Sequence, residues 1–125
     1  MIMKKNGGGT IINISSAASG KASPFNGPYA VAKTGVDNLT QTLSSELARY
    51  NIRVNGVSPG PIPTEVFLEF LKLEEKDIPT LGKKFGIPLG RVGDPDDISP
   101  AVVFLASSAS SWMTGETIVI KGGHA

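Results

Sequence analysis

The chain has no cysteine and a single histidine, His124, among its 125 residues. Disulfides and thiolate metal sites are thereby excluded, and the absence of thiols fits a reducing compartment. His124 stands next to the C-terminal residue, a poor place for a rigid general base. The net charge is only +1, and Lys4-Lys5 and Lys83-Lys84 are short pairs rather than a basic block. With aromatics at 6 % of residues and none interleaved with cations, the chain lacks the electrostatic footprint of a nucleic-acid binder. The longest apolar run, "AVVFLA" at 101–106, is far too short to cross a bilayer. "MIMKKNGGG" at the start has no apolar stretch long enough for a secretion signal. The expectation is a cytoplasmic protein with no metal, no nucleic-acid partner and no membrane span.

What is present has the pattern of one globular domain over residues 1–125, with 40 % apolar residues and charges of both signs. "GGGTIINISS" reads as a turn and a short strand, and Ile11, Ile12 and Ile14 suit burial on both faces. "AASGKASPFNGP" punctuates rather than patterns and is a loop. A helix is expected from about Pro28 to Tyr50, with Val36, Leu39, Leu43 and Leu47 as its apolar stripe. Pro28 suits the first helical position, where its missing N–H would be unpaired anyway. "NIRVNGVS" is a second strand, ended by the three prolines of "PGPIP". "TEVFLEFLKLEEK" is helical with Thr64 as cap. Its residues Val66, Phe67, Leu68, Phe70, Leu71 and Leu73 call for core or subunit packing, or for a lid over an apolar substrate. Asp94-Pro95-Asp96-Asp97 opens another helix, with Ile98, Ala101, Val102, Leu105 and Ala109 on one face. "ETIVIKGG" is the third strand. The order β-α-β-α-α-β implies an α/β layer structure with about three parallel strands.

One motif is a decoy. "GVSPG" at 56–60 matches the G-x-S-x-G nucleophile elbow, whose oxyanion hole uses the N–H of the residue after the serine. Here that residue is Pro59, which has none. A better site lies beyond the carboxyl ends of the strands, where parallel α/β sheets bind their ligands. Ser15 and Ser16 leave the first strand there, and Pro59-Gly60 leaves the second. Tyr29 and Lys33 occupy the first turns of the helix between them. At i,i+4 they share a helical face, roughly 6 Å apart at the Cβ atoms. A free tyrosine, with a pKa of about 10, is a poor base at neutral pH, and a nearby ammonium favours the phenolate. Alone, such a pair is a surface contact, and a lone strand-end serine satisfies a turn.

Ser16, Tyr29 thirteen residues later and Lys33 four beyond resemble the Ser…Tyr-x-x-x-Lys signature of the short-chain dehydrogenase/reductases. "RVNGVSPGPIPTE" is similar to that family's N-x-V-x-P-G-x-x-x-T segment, and "PLGRVGDPDDISPAVVFLASSASSWMTGETIVIKGG" to its closing helix and last strand. The resemblance covers nearly the whole chain and implies the C-terminal part of a doubly wound, Rossmann-type sheet. It implies an NAD- or NADP-dependent oxidoreductase that interconverts a small-molecule alcohol and ketone. Tyr29 would be the general acid or base, Lys33 its cation and a ligand of the nicotinamide ribose, and Ser16 the hydroxyl holding the substrate oxygen. Pro59 and Gly60 would let the backbone approach the cofactor. Ile62 would face the carboxamide, and Thr64 the same end of the dinucleotide. The phrasing leans toward hydroxysteroid dehydrogenases and ketoacyl reductases.

The resemblance also defines what is missing. The family's G-x-x-x-G-x-G turn follows a strand, whereas "GGG" at 7–9 precedes one. The expectation is therefore a truncated member holding three strands of seven, with "MIMKKNGGG" as the end of the helix before the fifth. The residue that selects NAD or NADP would lie upstream, and Lys121 stands where the family often has an aspartate. The strand at 10–15 would be an uncovered apolar edge and the helix at 28–50 would lack its partner, which predicts a homo-oligomer. The alternative function is a catalytically inactive remnant serving as an interaction or dimerisation module.

Overall fold

A computed structural model describes residues 2–125. A four-residue helix α1 (Ile2–Lys5) leads into strand β1 (Gly9–Ile14), then helix α2 (Gly27–Leu47) and strand β2 (Ile52–Pro59). Two short helices follow, α3 (Glu65–Leu71) and α4 (Ile78–Lys84), then α5 (Pro95–Ala106) and strand β3 (Thr117–Ile120). The three strands form one parallel sheet in the order β1-β2-β3, with Ile11 opposite Val54 and Val57 opposite Ile118. This is the expected α/β architecture.

The strand alternation places the helices on opposite faces. Thr10 and Asn13 of β1, an odd number of residues apart, point to opposite sides. Thr10 donates its hydroxyl to the Leu105 carbonyl at the end of α5, whereas Asn13 donates its amide to Thr40 Oγ1 of α2. The central strand β2 is covered from both sides, and Ile52, Val54, Asn55, Gly56, Val57 and Ser58 are all buried.

Caps follow the sequence closely. Thr64 Oγ1 accepts from the Phe67 N–H at the start of α3. Asp94 accepts from the Asp96 N–H at 2.9 Å, and Asp97 returns a bond from the Asp94 N–H at 2.8 Å. Arg91 grips the same Asp97 with two nitrogens at 2.6 and 2.8 Å. Those bonds hold the Asp97 carboxyl at about 2, well below the usual carboxylate range.

Several expectations are corrected. The long helix starts at Gly27, placing Pro28 in its second position, and tightens into a 3-10 turn over Ala48–Tyr50. Its most buried side lies next to the apolar stripe rather than on it, with Val36, Leu43 and Leu47 half-buried. Ala30, Thr40 and Ser44 are the buried residues, while Leu39 stays half exposed. Small side chains and hydrogen bonds let the helix sit close to the strands. β1 meets a helix on each face but is not fully buried on either: Ile11 and Ile12 are half-buried and Ile14 is half exposed. The helix expected over 64–76 stops at Leu71, because Lys72 turns left-handed (φ 55°) and its N–H closes on the Glu69 carbonyl. Phe67 and Leu73 of that segment pack around a small core of Leu81, Ile87 and Val92, whereas Val66 and Phe70 face outward. Helix α4 carries no period long enough to be read in advance. α5 ends at Ala106, leaving Ala109 exposed in a 3-10 turn (Ser108–Ser110).

Candidate active site

The site follows from three chain exits that the sheet forces together. Ser15 N donates to the Val57 carbonyl (2.8 Å), Ala17 N to Pro59 (2.9 Å) and Gly60 N to Ile120 (2.8 Å). The turns after β1, β2 and β3 thus lie side by side at the carboxyl edge. The N-terminal turns of α2 are bonded to the same edge. Ser15 Oγ donates to the Lys33 carbonyl (3.2 Å), and the Lys33 ammonium donates to the Ile14 carbonyl, the last of β1, at 3.0 Å.

Lys33 is therefore anchored at the strand end, and its Nζ lies 5.7 Å from the centre of the Tyr29 ring. Tyr29 is 44 % exposed, so its side chain is accessible from solvent. Ser16, half-buried, follows β1 by two residues, and its Oγ accepts from the Ala18 N–H at 3.2 Å. That bond uses a lone pair and leaves the hydroxyl proton to donate. Ser16 and Tyr29 share this edge without a hydrogen bond between them.

The other sequence candidates are placed as follows. Pro59 closes β2. A Cβ on Gly60 would stand 2.7 Å from Lys121 Cβ and 2.8 Å from its Cα, so strand packing alone demands a glycine there. Ile62 is half-buried, with Cδ1 lying against Gly93, and its carbonyl accepts from Thr64 N at 2.8 Å. Thr64 Oγ1 is engaged in capping α3, which leaves its proton free to donate.

The supports of this edge were not singled out in the sequence. Ser19 hydrogen-bonds the Asp37 carboxylate of α2, and Gly20 N donates to Thr34 Oγ1 at 2.8 Å. Together they fasten the turn that follows Ser16 onto the helix that carries Tyr29 and Lys33. Lys33, Asp37, Thr40 and Ser44 do recur at three- and four-residue spacing, and that polar periodicity was the available signal. It is the same face on which Ala30 is buried.

A dinucleotide would find only part of its site in these residues. A cation fixed at a strand end beside an exposed phenol fits the nicotinamide end. The turn after β1 reads Ser-Ser-Ala rather than a glycine-rich phosphate loop, so the pyrophosphate has no cradle among residues 1–125.

A family model described as enoyl-(acyl carrier protein) reductase matches residues 1–125. The chain is 41 % identical over 121 residues to dehydrogenase/reductase SDR family member 4 of Homo sapiens, covering 97 % of this chain and 42 % of that protein. It is 43 % identical over 123 residues to the 3-oxoacyl-[acyl-carrier-protein] reductase FabG of Thermotoga maritima, covering 98 % and 47 %. Among solved structures it superposes on a 7α-hydroxysteroid dehydrogenase complexed with NADH and 7-oxo glycochenodeoxycholic acid. The TM-score is 0.85 at 34 % identity, over 98 % of this chain and 47 % of that one. A gluconate 5-dehydrogenase of Burkholderia cenocepacia, in complex with NADP and tartrate, gives 0.85 at 38 % identity, again over 98 % and 47 %. The chain spans less than half the length of each of these relatives.

Proposed function

Because the chain belongs to the short-chain dehydrogenase/reductase family, we propose that it carries the proton-transfer half of an NAD(P)-dependent alcohol–ketone oxidoreductase site. The observation that supports this best is the Lys33 ammonium, held at 3.0 Å on the Ile14 carbonyl with the Tyr29 ring 5.7 Å away. Tyr29 protonates the carbonyl oxygen in the reductive direction and recovers the proton in the oxidative one. Lys33 places a positive charge beside the Tyr29 ring, and the free Ser16 proton holds the substrate oxygen. A nicotinamide cofactor, when bound, supplies or accepts the hydride. Lys33, Ile62 and Thr64 are the residues that would hold its nicotinamide end, with Pro59 and Gly60 forming the turn beneath it. NADH and NADP accompany two of the similar structures. The substrate class is a small alcohol or ketone.

The test joins the chain to the N-terminal half of the Thermotoga reductase and follows ketone reduction with NADPH and NADH. Turnover is expected, and Tyr29→Phe should lower it by about 10²- to 10⁴-fold. A folded hybrid without turnover would point instead to an interaction module and overturn the proposal. The 125-residue chain alone is expected to bind neither cofactor at micromolar concentration, which fluorescence titration reads directly. Val31, Leu39, Val103 and Phe104 expose apolar surface on α2 and α5. We infer that the chain self-associates; sedimentation as a well-folded monomer counts against this.

A further inference from the structure

Ser16 makes its own hydrogen bonds inside the turn that follows β1. Its hydroxyl accepts from the Ala18 N–H at 3.2 Å, and its carbonyl accepts from the Ser19 N–H at 2.9 Å. The place of Ser16 relative to Tyr29 is therefore set by whatever holds that turn to α2. Three bonds do so. Ser15 Oγ donates to the Lys33 carbonyl at 3.2 Å, Gly20 N donates to Thr34 Oγ1 at 2.8 Å, and the Ser19 hydroxyl donates to Asp37 Oδ2. Ser19 is the residue that joins the two sets, with its N–H on Ser16 and its hydroxyl on Asp37. A chain of two hydrogen bonds thus runs from the Asp37 carboxylate to Ser16.

A carboxylate is a demanding choice for that position. Its oxygens accept and do not donate, so the Ser19 hydroxyl is the donor, and a bond to a charged acceptor is roughly twice as strong as a neutral one. Asp37 Oδ1, however, is buried and has no hydrogen-bond partner among the described residues. An unpaired buried carboxylate oxygen costs stability, and an apolar side chain would pack this half-buried position without that loss. Stability of α2 alone does not account for Asp37. What the carboxylate adds is a strong, directional hold on one turn.

We propose that Asp37 is a positioning residue of the proton-transfer site. Through Ser19 it fixes the turn of Ser16, and so the place of the Ser16 hydroxyl relative to Tyr29 on the same helix. Asp37 lies about two turns beyond Tyr29 and one beyond Lys33, so strand end and helix are locked into one frame. Groups that act on one substrate oxygen need such a frame, because small displacements between them lower the rate steeply. The proposal rests on reading Ser16, Tyr29 and Lys33 as an oxidoreductase site.

Hydrogen–deuterium exchange on the 125-residue chain tests the clasp without cofactor or turnover. In Asp37→Ala and in Ser19→Ala, the amides of residues 15–20 are expected to exchange at least about tenfold faster, while those of α5 keep their rate. No change in that segment, or an equal rise in α5, would overturn the clasp. In the hybrid with the Thermotoga N-terminal half, Asp37→Ala should lower kcat by about 10- to 100-fold and leave KM for the nicotinamide cofactor unchanged. Asp37→Asn keeps an acceptor oxygen for Ser19 and should recover most of that loss. In a Ser16→Ala background, Asp37→Ala should change kcat by less than about twofold, because residues that act as one unit are not additive. A full further loss there would show that Asp37 acts on the fold rather than through Ser16, and an active hybrid indifferent to Asp37→Ala would equally overturn the positioning role. A hybrid of unaltered sequence without turnover would overturn the functional reading and the positioning role with it, whatever the exchange shows.

Discussion

The two ends of β2 carry polar clusters of opposite character. Near its start, Arg53 donates to Ser110 Oγ and the Met113 carbonyl, both at 3.1 Å. It also donates to the carbonyls of Leu105 (2.9 Å) and Ser107 (3.2 Å) at the end of α5. Asn55, fully buried, bonds the Met113 carbonyl at 2.9 Å and receives the Glu116 N–H at 3.1 Å. Every one of these contacts closes within the chain and completes a helix end or a turn. At the other end, Tyr29 is 44 % exposed, and the Ser16 hydroxyl accepts one bond and keeps its proton to donate. Equal polarity therefore means two different things. The cluster whose bonds are exhausted by its own chain holds the fold, and the cluster with bonds left over is the one we propose meets a ligand.

That contrast can be broken experimentally. The largest effect is expected from Arg53→Met, which keeps an apolar stem but strips the partners from the end of α5. It should cost about 3 kcal/mol in urea unfolding, with α5 exchanging its amides first. A loss under about 1 kcal/mol would mean that water replaces the guanidinium and that the cluster is not structural. A smaller effect concerns the N-terminus of α5. Asp97 titrates at about 2 in the folded chain, below an unfolded carboxylate near 3.9. A depressed value means that its contribution is complete above pH 4 and disappears as the pH falls from about 4 to about 2. Asp97→Asn should remove that part of the acid sensitivity in thermal melts between pH 5 and pH 2. The smallest effects belong to the other cluster. Tyr29→Phe and Lys33→Met should change stability by less than about 0.5 kcal/mol, whereas Tyr29→Phe removes turnover in the hybrid. A large loss of stability in either would place the pair among the structural contacts.

Much of this was legible along the chain because the relevant rules are local. Thr64 and Asp94 cap helices by reaching a backbone N–H two or three residues away, and Pro59 ends β2 through its own missing donor. Spacing likewise put Tyr29 and Lys33 on one helical turn. The errors came where neighbours distant in sequence decide. Leu39 belongs to a regular apolar stripe, yet the sheet is met by Ala30, Thr40 and Ser44. Asn13 and the turn after Ser16 bond the polar period of Asp37 and Thr40 there, a signal weaker than the apolar stripe beside it. Gly60 has a second reason to be glycine that the sequence does not show, because a Cβ there would meet Lys121, 61 residues on.

The alternation of strands and helices, the caps and the Ser16–Tyr29–Lys33 spacing thus follow from chain chemistry over a few residues. Three other features arise only in the folded molecule: the face that α2 turns to the sheet, the packing of Lys121 against Gly60, and the full engagement of Arg53. Each depends on the parallel register of β1, β2 and β3, which brings together side chains that the sequence keeps tens of residues apart.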